Sequence, residues 1–235
     1  MNDGSDVGEN GEGRLLRAFA PGASTFIDIG ANVGEWAELF LQAMPPGGKG
    51  ILFDPATSAV ARLRERFASR AEIEIVDAAV SDAPGSMQFY EEPNAGVASS
   101  LVAGAAASSA TAKTVTVTTL DIEAENRKLS QIDFVKIDAE GHDLNVLRGA
   151  RGLLASRRIG VLQFEYHQPW AQAGNTLAAA LSLLGSNDYS VFLVRADGVY
   201  NINYRRFGEY FSLSNYVGVS PQCMEKIRPL IRGTV

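Results

Sequence analysis

The sequence has a single cysteine, Cys223, and only two histidines in 235 residues. A lone cysteine allows no intrachain disulfide, which fits a reducing compartment, and we expect a cytoplasmic protein. Long apolar runs are also missing, since no stretch approaches the roughly 20 residues that cross a bilayer. Basic residues are fewer than acidic ones, so that the net charge is −6 and the pI is about 5.0. A nucleic acid binds best to a basic surface, because its phosphate backbone is negatively charged. We therefore expect neither a membrane nor a nucleic acid as the partner, and the oligomeric state stays open.

The chain begins with MNDGSDVGENGEG, a segment of Gly, Asp, Asn and Glu that has too little apolar surface to order itself. It lacks the basic start and apolar centre of a signal peptide. We expect a disordered tail over residues 1–13 and one domain over residues 14–235, a length that a single hydrophobic core supports.

Strand-like runs alternate with helical patterns through most of the chain. This alternation is typical of a parallel sheet covered by helices on both faces. Near the end, Asp197-Gly198 predicts a hairpin turn, and NYVGVS predicts a last strand that is antiparallel. The other strands are predicted at 25–30, 50–54, 73–80, 132–139 and 160–167, and helices at about 35–44, 57–68, 143–154 and 176–184.

The alternation is interrupted over residues 81–122. SMQFYEE and TVTVTTLDI predict a β-hairpin inserted between the third and fourth strands, at about 86–120. Small residues dominate the stretch 95–113 between them. It is either a flexible surface excursion or a lid that orders over a pocket.

The run FIDIGANVGE predicts a strand that turns sharply into a helix and presents backbone N–H groups to a nucleotide. A purely structural turn is the alternative. Asp28 precedes Gly30, and Asn32 stands before Gly34 where a dinucleotide-binding turn would have glycine. An acid there repels a pyrophosphate but suits a cationic or amine-bearing ligand. The arrangement D-x-G-x-N-x-G resembles the first motif of Rossmann-type methyltransferases that use S-adenosylmethionine, a sulfonium with an α-amino group.

Two further acids follow strands in the same half of the chain. Asp54 closes the second predicted strand at the spacing expected of an acid that binds both ribose hydroxyls. Asp77 ends the third strand, where its side chain can reach an adenine amine while the backbone near Ala78 bonds the ring nitrogens. For Asp77, an ordinary acid at a strand end is an equal alternative.

Several segments, in the same order along the chain, resemble the FkbM family of methyltransferases: FIDIGANVGE, AAVSD, SSL, TVTTLD and IDFVKIDAEGHDLNVLRGA. The resemblance covers roughly residues 25–167. It implies a class I enzyme that uses S-adenosylmethionine to O-methylate hydroxyls of small molecules, natural products or sugars, so the expected partner is a small-molecule or glycan acceptor. It also implies the fold class, a single Rossmann-like α/β domain with a mostly parallel seven-stranded sheet, an antiparallel last strand and the hairpin insertion.

Two positions depart from the family pattern. Asp54 stands where glutamate is usual, which leaves the ribose role intact. His142 stands where a small residue is common, and we interpret it as a feature of this protein's own substrate.

A sugar or polyketide hydroxyl is not ionised at neutral pH, so a base or a metal must take up its proton. Five candidates follow the fourth and fifth strands, at the edge where open α/β sheets bind ligands. We rank the two acids of the first group above the histidines and expect Asp138 to touch the cofactor as well. Lys136 is expected to orient the acids through an ion pair. The candidates are Asp138, Glu140 and His142, then Glu165 and His167.

Mg²⁺ or Mn²⁺ held by these groups is an alternative that the sequence does not favour, because Asp-x-Glu-Gly is not a metal motif by itself, and we assign no metal ligand. A nicotinamide-dependent oxidoreductase and a non-catalytic binding module are the rival functions. The acceptor pocket is expected to involve Tyr90, Tyr166, Trp170 and the 95–113 stretch, with core packing as the alternative for the aromatic residues.

Overall fold

The computed structural model describes residues 10–93, 99–106 and 108–235. Its helices are α1 (Glu12–Phe19), α2 (Glu35–Ala43), α3 (Thr57–Arg66), α4 (Leu120–Asn126), α5 (Asp143–Arg148), α6 (Arg151–Ala155), α7 (Pro169–Gln172), α8 (Leu177–Gly185), α9 (Tyr204–Phe207) and α10 (Met224–Ile227). Its strands are β1 (Thr25–Ile29), β2 (Lys49–Phe53), β3 (Ile73–Val76), β4 (Ala79–Val80), β5 (Gly85–Glu91), β6 (Thr111–Thr118), β7 (Ile132–Ile137), β8 (Ile159–Tyr166), β9 (Ser190–Arg195), β10 (Gly198–Asn201), β11 (Ser214–Val219) and β12 (Ile231–Thr234).

The main sheet has the strand order β3-β2-β1-β7-β8-β11-β9-β10-β12. The first five strands of this order are parallel, and β11 runs antiparallel to both of its neighbours. This confirms the Rossmann-like fold with an antiparallel strand late in the chain. The sheet is wider than the expected seven strands, because β10, the far arm of the hairpin, and the short β12 extend it to nine.

Neighbouring residues of the central strands bury their side chains on opposite faces of the sheet, as the two-residue period of a strand requires. Phe26, Phe134 and Val161 pack with α1 and α2 on one face. Ile27, Val135 and Leu162 pack with α5, α6 and α8 on the other. Both faces are covered, so the central strands read as continuous apolar runs.

The predicted strand at 73–80 is two strands in different sheets. β3 belongs to the main sheet, whereas β4 pairs in parallel with β6 in a second sheet of order β4-β6-β5. The chain turns between them, where Ala78 N donates to the carbonyl of Val76 at 3.0 Å. The inserted hairpin therefore exists, as β5 and β6, but a third strand anchors it to the domain.

Two helix boundaries differ from the sequence patterns. The segment LDI, expected as strand, begins α4, because the Thr119 side chain caps that helix by accepting from Ile122 N at 3.2 Å. The single helix expected over 143–154 is broken into α5 and α6 at Gly149. Gly149 packs so closely that an added Cβ would lie 1.9 Å from the Ser81 carbonyl oxygen. Asp121 then caps α6 by accepting from the N–H groups of Gly152 and Leu153 at 2.8 and 2.9 Å.

Glu12 and Gly13, which we expected in the disordered tail, lie in a helix. α1 begins at Glu12, whose buried carboxylate accepts a hydrogen bond from the Gln163 side chain in β8. Leu15 and Phe19, on the same helix, pack into the core. A partner far along the chain thus orders a polar segment, while residues 1–9 lie outside the described residues. None of the helices in the described part is long and apolar enough to span a bilayer.

We expect Gly149→Ala to lower the free energy of unfolding by about 1–3 kcal/mol, since its methyl group meets backbone that cannot move aside cheaply. Urea denaturation measures the change. Gly185→Ala is the matched control, because no atom lies within 4 Å of the added Cβ, and it should be neutral or stabilising by up to about 1 kcal/mol. Equal stability of the two variants would contradict the assigned cause of the helix break.

Candidate active site

A cavity of about 590 Å³ lies at the carboxyl edge of the sheet. Its volume falls within the range of about 300–1,000 Å³ that is usual for small-molecule sites. The ends of β1, β2, β7 and β8 supply most of its polar lining, and Ser99–Leu101 of the insertion closes one side. The candidates that line it are Asp28, Gly30, Asn32, Gly34, Asp54, Ala78, Asp138, Glu140 and Glu165.

The turn between β1 and α2 is held in left-handed backbone conformations. Gly30, Asn32 and Gly34 have φ of 75°, 49° and 83°. Gly30 cannot be replaced without a backbone shift, because a Cβ there would lie 1.8 Å from the Asp138 carbonyl oxygen. The glycine turn is therefore pressed against the end of β7, where the catalytic candidates begin.

Asp54 is fixed at the far side of this turn. Its two carboxylate oxygens accept from the N–H groups of Asn32 and Ala56, both at 2.8 Å. Burial raises the pKa of Asp54 to about 6, although these two hydrogen bonds oppose the rise. The carboxylate faces the cavity with acceptor capacity to spare, as a ribose-binding acid requires.

Asp28 is 1% exposed, and neither of its carboxylate oxygens has a hydrogen-bond partner among the described residues. Lys136 Nζ lies 3.9 Å from Asp28 Oδ1 and 3.0 Å from Asp138 Oδ2. Burial raises the pKa of Asp28 to about 7 in spite of the lysine. Burial also disfavours the charged form of Lys136, but the attraction of Asp138 and Asp28 outweighs this effect and raises the pKa of Lys136. Lys136 is thus paired as expected, and Asp28 keeps capacity for a second cation.

Two cavity-lining neighbours of Asp28 also carry buried polar atoms without a partner in the described part of the chain. They are the side-chain oxygen of Asn32 and the indole nitrogen of Trp36. Buried polar atoms are normally hydrogen-bonded, and a ligand is one way to satisfy a group of them at one place. This end of the cavity therefore fits a ligand with both donors and acceptors.

Glu140, Glu165 and His167 come together at the other end, and we call them the acid–imidazole cluster. His167 Nε2 is 3.7 Å from a Glu140 carboxylate oxygen, and Nδ1 is 3.5 Å from one of Glu165. Burial, followed by the charge of Asp138, raises the pKa of Glu140 to about 9 and that of Glu165 well above its usual value. Burial lowers the pKa of His167, which favours the neutral imidazole.

The backbone holds Glu140 in place. Its φ is 46°, a left-handed value that is unusual for glutamate, and its carbonyl accepts from Ser100 Oγ at 2.7 Å. Gly141 follows with φ of 95°, and a Cβ on it would lie 2.6 Å from Pro169. Strained backbone that is fixed from both sides often marks a functional position.

Three candidates, His142, Asp77 and His167, do not line the cavity, although His167 contacts Glu140 and Glu165, which do. His142 is buried with Nε2 2.7 Å from Ser81 Oγ, and burial lowers its pKa to about 4. The sequence predicted that both histidines follow strands at the same edge of the sheet. The chain turns at Gly141, however, so that His142 lies at the start of α5. Asp77 is exposed and lies outside the cavity lining, while the adjacent Ala78 is part of it.

The aromatic residues expected around the acceptor belong elsewhere. Trp170 is fully buried in the core, and Tyr166 donates from its hydroxyl to Glu209 at 2.8 Å. Tyr90 lies in β5 and pairs with Ser100. None of these three lines the cavity, so core packing accounts for Trp170 and Tyr166. Residues 94–98 and 107 of the 95–113 stretch lie outside the described residues.

Other lining residues were not expected from the sequence. Asn10 and Glu12 reach the cavity from α1 and the segment before it, and Leu213 and Asn215 reach it from the start of β11. Gln163 is the one sequence signal that could have indicated them, as a polar residue between the apolar Leu162 and Phe164 in β8. Its amide donates to Glu12 and, at 3.4 Å, to Asn215.

Comparison with known families and structures gives a consistent result. A sequence model of a protein family, the methyltransferase FkbM domain, matches residues 28–191, which is well over half of the chain. The methyltransferase FkbM from Methylobacillus flagellatus KT is similar, with a TM-score of 0.53, 15% identity, and coverage of 83% of this chain and 43% of that one. This chain thus spans less than half of that protein's length.

A putative rRNA methylase from Clostridium thermocellum is similar too, with a TM-score of 0.50, 7% identity, and coverage of 89% of this chain and 97% of that one. At these identities both structures support the fold alone. No curated protein matches the chain.

We expect Lys136→Met to lower the free energy of unfolding by about 3 kcal/mol, because it leaves Asp28 buried without its counter-charge. Chemical denaturation at neutral pH gives the value. Lys49→Met is the control, since Lys49 is exposed at the start of β2 and its loss should cost no more than about 0.5 kcal/mol. Adding Asp138→Asn to Lys136→Met should recover part of the loss. Full stability of Lys136→Met would mean that the ion pair does not support the site.

Proposed function

We propose, since this chain belongs to the FkbM methyltransferase family, that it transfers a methyl group from S-adenosylmethionine to a hydroxyl of a small molecule, natural product or sugar. The observation that carries the proposal is the buried carboxylate of Asp28, which faces the cavity beside the glycine turn with both oxygens lacking hydrogen-bond partners among the described residues. A ligand with an amine and a sulfonium supplies the donors and positive charge that this carboxylate lacks.

The residues along the cavity can be assigned in turn to the amino-acid end, the ribose and the adenine of this cofactor. Asp28 and the Gly30–Gly34 turn hold the amino-acid end, and Asp138 lies between that end and the acid–imidazole cluster. Asp54 accepts from the ribose hydroxyls, with its own geometry fixed by two backbone amides. Ala78 lines the cavity, and its backbone would lie along the adenine, with the exposed Asp77 at the outer edge.

When bound, S-adenosylmethionine supplies an activated methyl carbon, so that the acceptor oxygen bonds to carbon while the carbon–sulfur bond breaks and its electron pair stays on sulfur. The chain has to align the acceptor and accept the hydroxyl proton. The acid–imidazole cluster lies next to Asp138 and supplies the proton-accepting groups, from which the proton passes to solvent. Because Glu140 and Glu165 line the cavity, an acceptor in the cavity can contact both.

The acceptor side is built mainly from the insertion and β11. Ser100 and Leu101 lie on one wall, and Leu213, which is 43% exposed, lies on another. We propose that the described residues 99–106 of the insertion cover the acceptor as a lid, which the contact between Ser100 and Glu140 supports. A small acceptor agrees with the net charge of −6 better than a nucleic acid does.

Calorimetry with S-adenosylmethionine, S-adenosylhomocysteine and NADH tests the cofactor assignment directly. Binding of the first two and not of NADH supports the proposal, and the reverse result supports an oxidoreductase. Cofactor binding without methyl transfer to any hydroxyl acceptor or RNA would favour a non-catalytic module. Transfer to RNA alone would replace the small-molecule acceptor.

We expect Asp54→Asn to weaken S-adenosylmethionine binding more than tenfold, because hydrogen bonds to a charged acceptor are worth about 1.5–3 kcal/mol each. The pKa of Asp54 is about 6, so the ionised carboxylate prevails above that pH and is lost as the pH falls through it. Wild-type affinity should therefore decline below pH 6, by up to about tenfold per unit. Asp54→Asn should show a smaller decline in the same window. Asp188→Asn, at an exposed ion pair with Arg157, is the control and should bind like wild type.

We expect Glu140→Gln to reduce turnover by about two to four orders of magnitude while cofactor affinity is kept, since the amide keeps the size and hydrogen bonding of the side chain but cannot act as a base. Methyl transfer from radiolabelled cofactor to a library of hydroxyl acceptors measures turnover, and calorimetry measures affinity. His142→Asn should retain turnover, because His142 contacts Ser81 and not the cavity. If His142→Asn abolishes turnover and Glu140→Gln does not, the assignment of the reaction to the acid–imidazole cluster is wrong.

A further inference from the structure

We propose that Glu140, Glu165 and His167 bind one divalent transition-metal ion at the acceptor end of the cavity. Two carboxylates and an imidazole from two adjacent strand ends form a donor set that first-row divalent ions accept. The binding site stands on the cluster's own geometry. Only its use, to bind and acidify the acceptor hydroxyl, rests on the proposed function.

The distance between His167 and Glu140 is closer to that of two ligands of one ion than to a hydrogen bond. Metal–ligand bonds of about 2.0–2.2 Å place two ligand atoms roughly 3–3.5 Å apart across one ion. His167 Nε2 lies 3.7 Å from a Glu140 carboxylate oxygen, beyond the limit of hydrogen bonding, whereas the 3.5 Å contact with Glu165 is made by the other ring nitrogen, Nδ1. Ligand atoms of all three residues lie within 4.8 Å of one another.

The imidazole supplies a second observation that points to a ligand. His167 Nε2 is buried and has no hydrogen-bond partner among the described residues, although it is directed toward the Glu140 carboxylate. A buried ring nitrogen without a partner is costly, and a metal ion is a common way to satisfy it.

The charge around the cluster also favours a cation. Asp138 and the fully buried Asp143 add negative charge next to Glu140 and Glu165. In the described part of the chain, no lysine or arginine forms an ion pair with either glutamate, since Lys136 is engaged by Asp28 and Asp138. An ion bound between the two glutamates would supply the positive charge that this end of the cavity lacks.

Three protein ligands leave coordination positions open, as in catalytic metal sites. Glu140 and Glu165 line the cavity, so the open positions face the acceptor. A hydroxyl oxygen bound there would lose its proton to solvent water more readily, because a metal ion stabilises the resulting alkoxide.

Mn²⁺ is the probe, added to the full chain after chelator treatment and desalting. We expect one Mn²⁺ per chain by electron paramagnetic resonance, with modulation from an imidazole nitrogen in the spin echo and a higher melting temperature. Glu165→Gln and His167→Asn should each weaken Mn²⁺ binding at least tenfold, and His167→Asn should abolish the nitrogen modulation. His142→Asn, which removes the other histidine, should bind Mn²⁺ like wild type.

No binding of Mn²⁺, Mg²⁺ or Zn²⁺ at 1 mM, or Mn²⁺ binding to wild type without nitrogen modulation, would overturn the metal site. The nitrogen signal is read in the wild-type protein, so the result does not depend on the folding of a variant. S-adenosylmethionine binding is measured in the same preparation with chelator present. Cofactor binding and full turnover in chelator would refute the use of the metal in the reaction and keep the proposed function. Mn²⁺ binding with nitrogen modulation but without cofactor binding would keep the metal site and refute the proposed function.

Discussion

The buried ammonium group of Lys136 joins the two strand ends on which the site is built. Lys136 in β7 is the register partner of Asp28 in β1, and Asp138, two residues further on, lies on the same face of the strand. Its positive charge therefore lies between two acids that would otherwise repel each other. This charge therefore stabilises the close approach of the glycine turn after β1 and the acids after β7.

Backbone contacts reinforce the same junction. Asp138 N donates to the Ile29 carbonyl at 2.9 Å, and the Asp138 carbonyl lies against Gly30 so closely that no side chain fits there. A shift of the glycine turn would move Asp138 and the strained Glu140 with it. In the proposed reaction this rigid connection fixes the cofactor end of the cavity relative to the acceptor end. Alignment of the two reactants is the main task of a catalyst for in-line transfer.

Local patterns in the sequence predicted the parts of the site that a single strand end determines. Asp54 and the Gly30–Gly34 turn are examples, since strand period and positive φ already define their positions. Contacts between distant segments were not accessible in this way. The break at Gly149 depends on Ser81, and the order of Glu12 depends on Gln163, neither of which is near in the chain. His142 shows the same limit, because two left-handed residues before it redirect the chain away from the cavity.

The electrostatics of the cavity also bear on how the product leaves. The cofactor is a cation at sulfur, and the acids at its end of the cavity, Asp28 and Asp138, have one ammonium group between them. After methyl transfer the sulfur carries no charge, so the attraction between these acids and the bound product becomes weaker. In the proposed function, the amine and ribose contacts are unchanged by the reaction and would hold donor and product alike. Asp28 and Asp138, which would favour binding of the charged donor, would therefore also favour replacement of the neutral sulfide product by a new donor molecule.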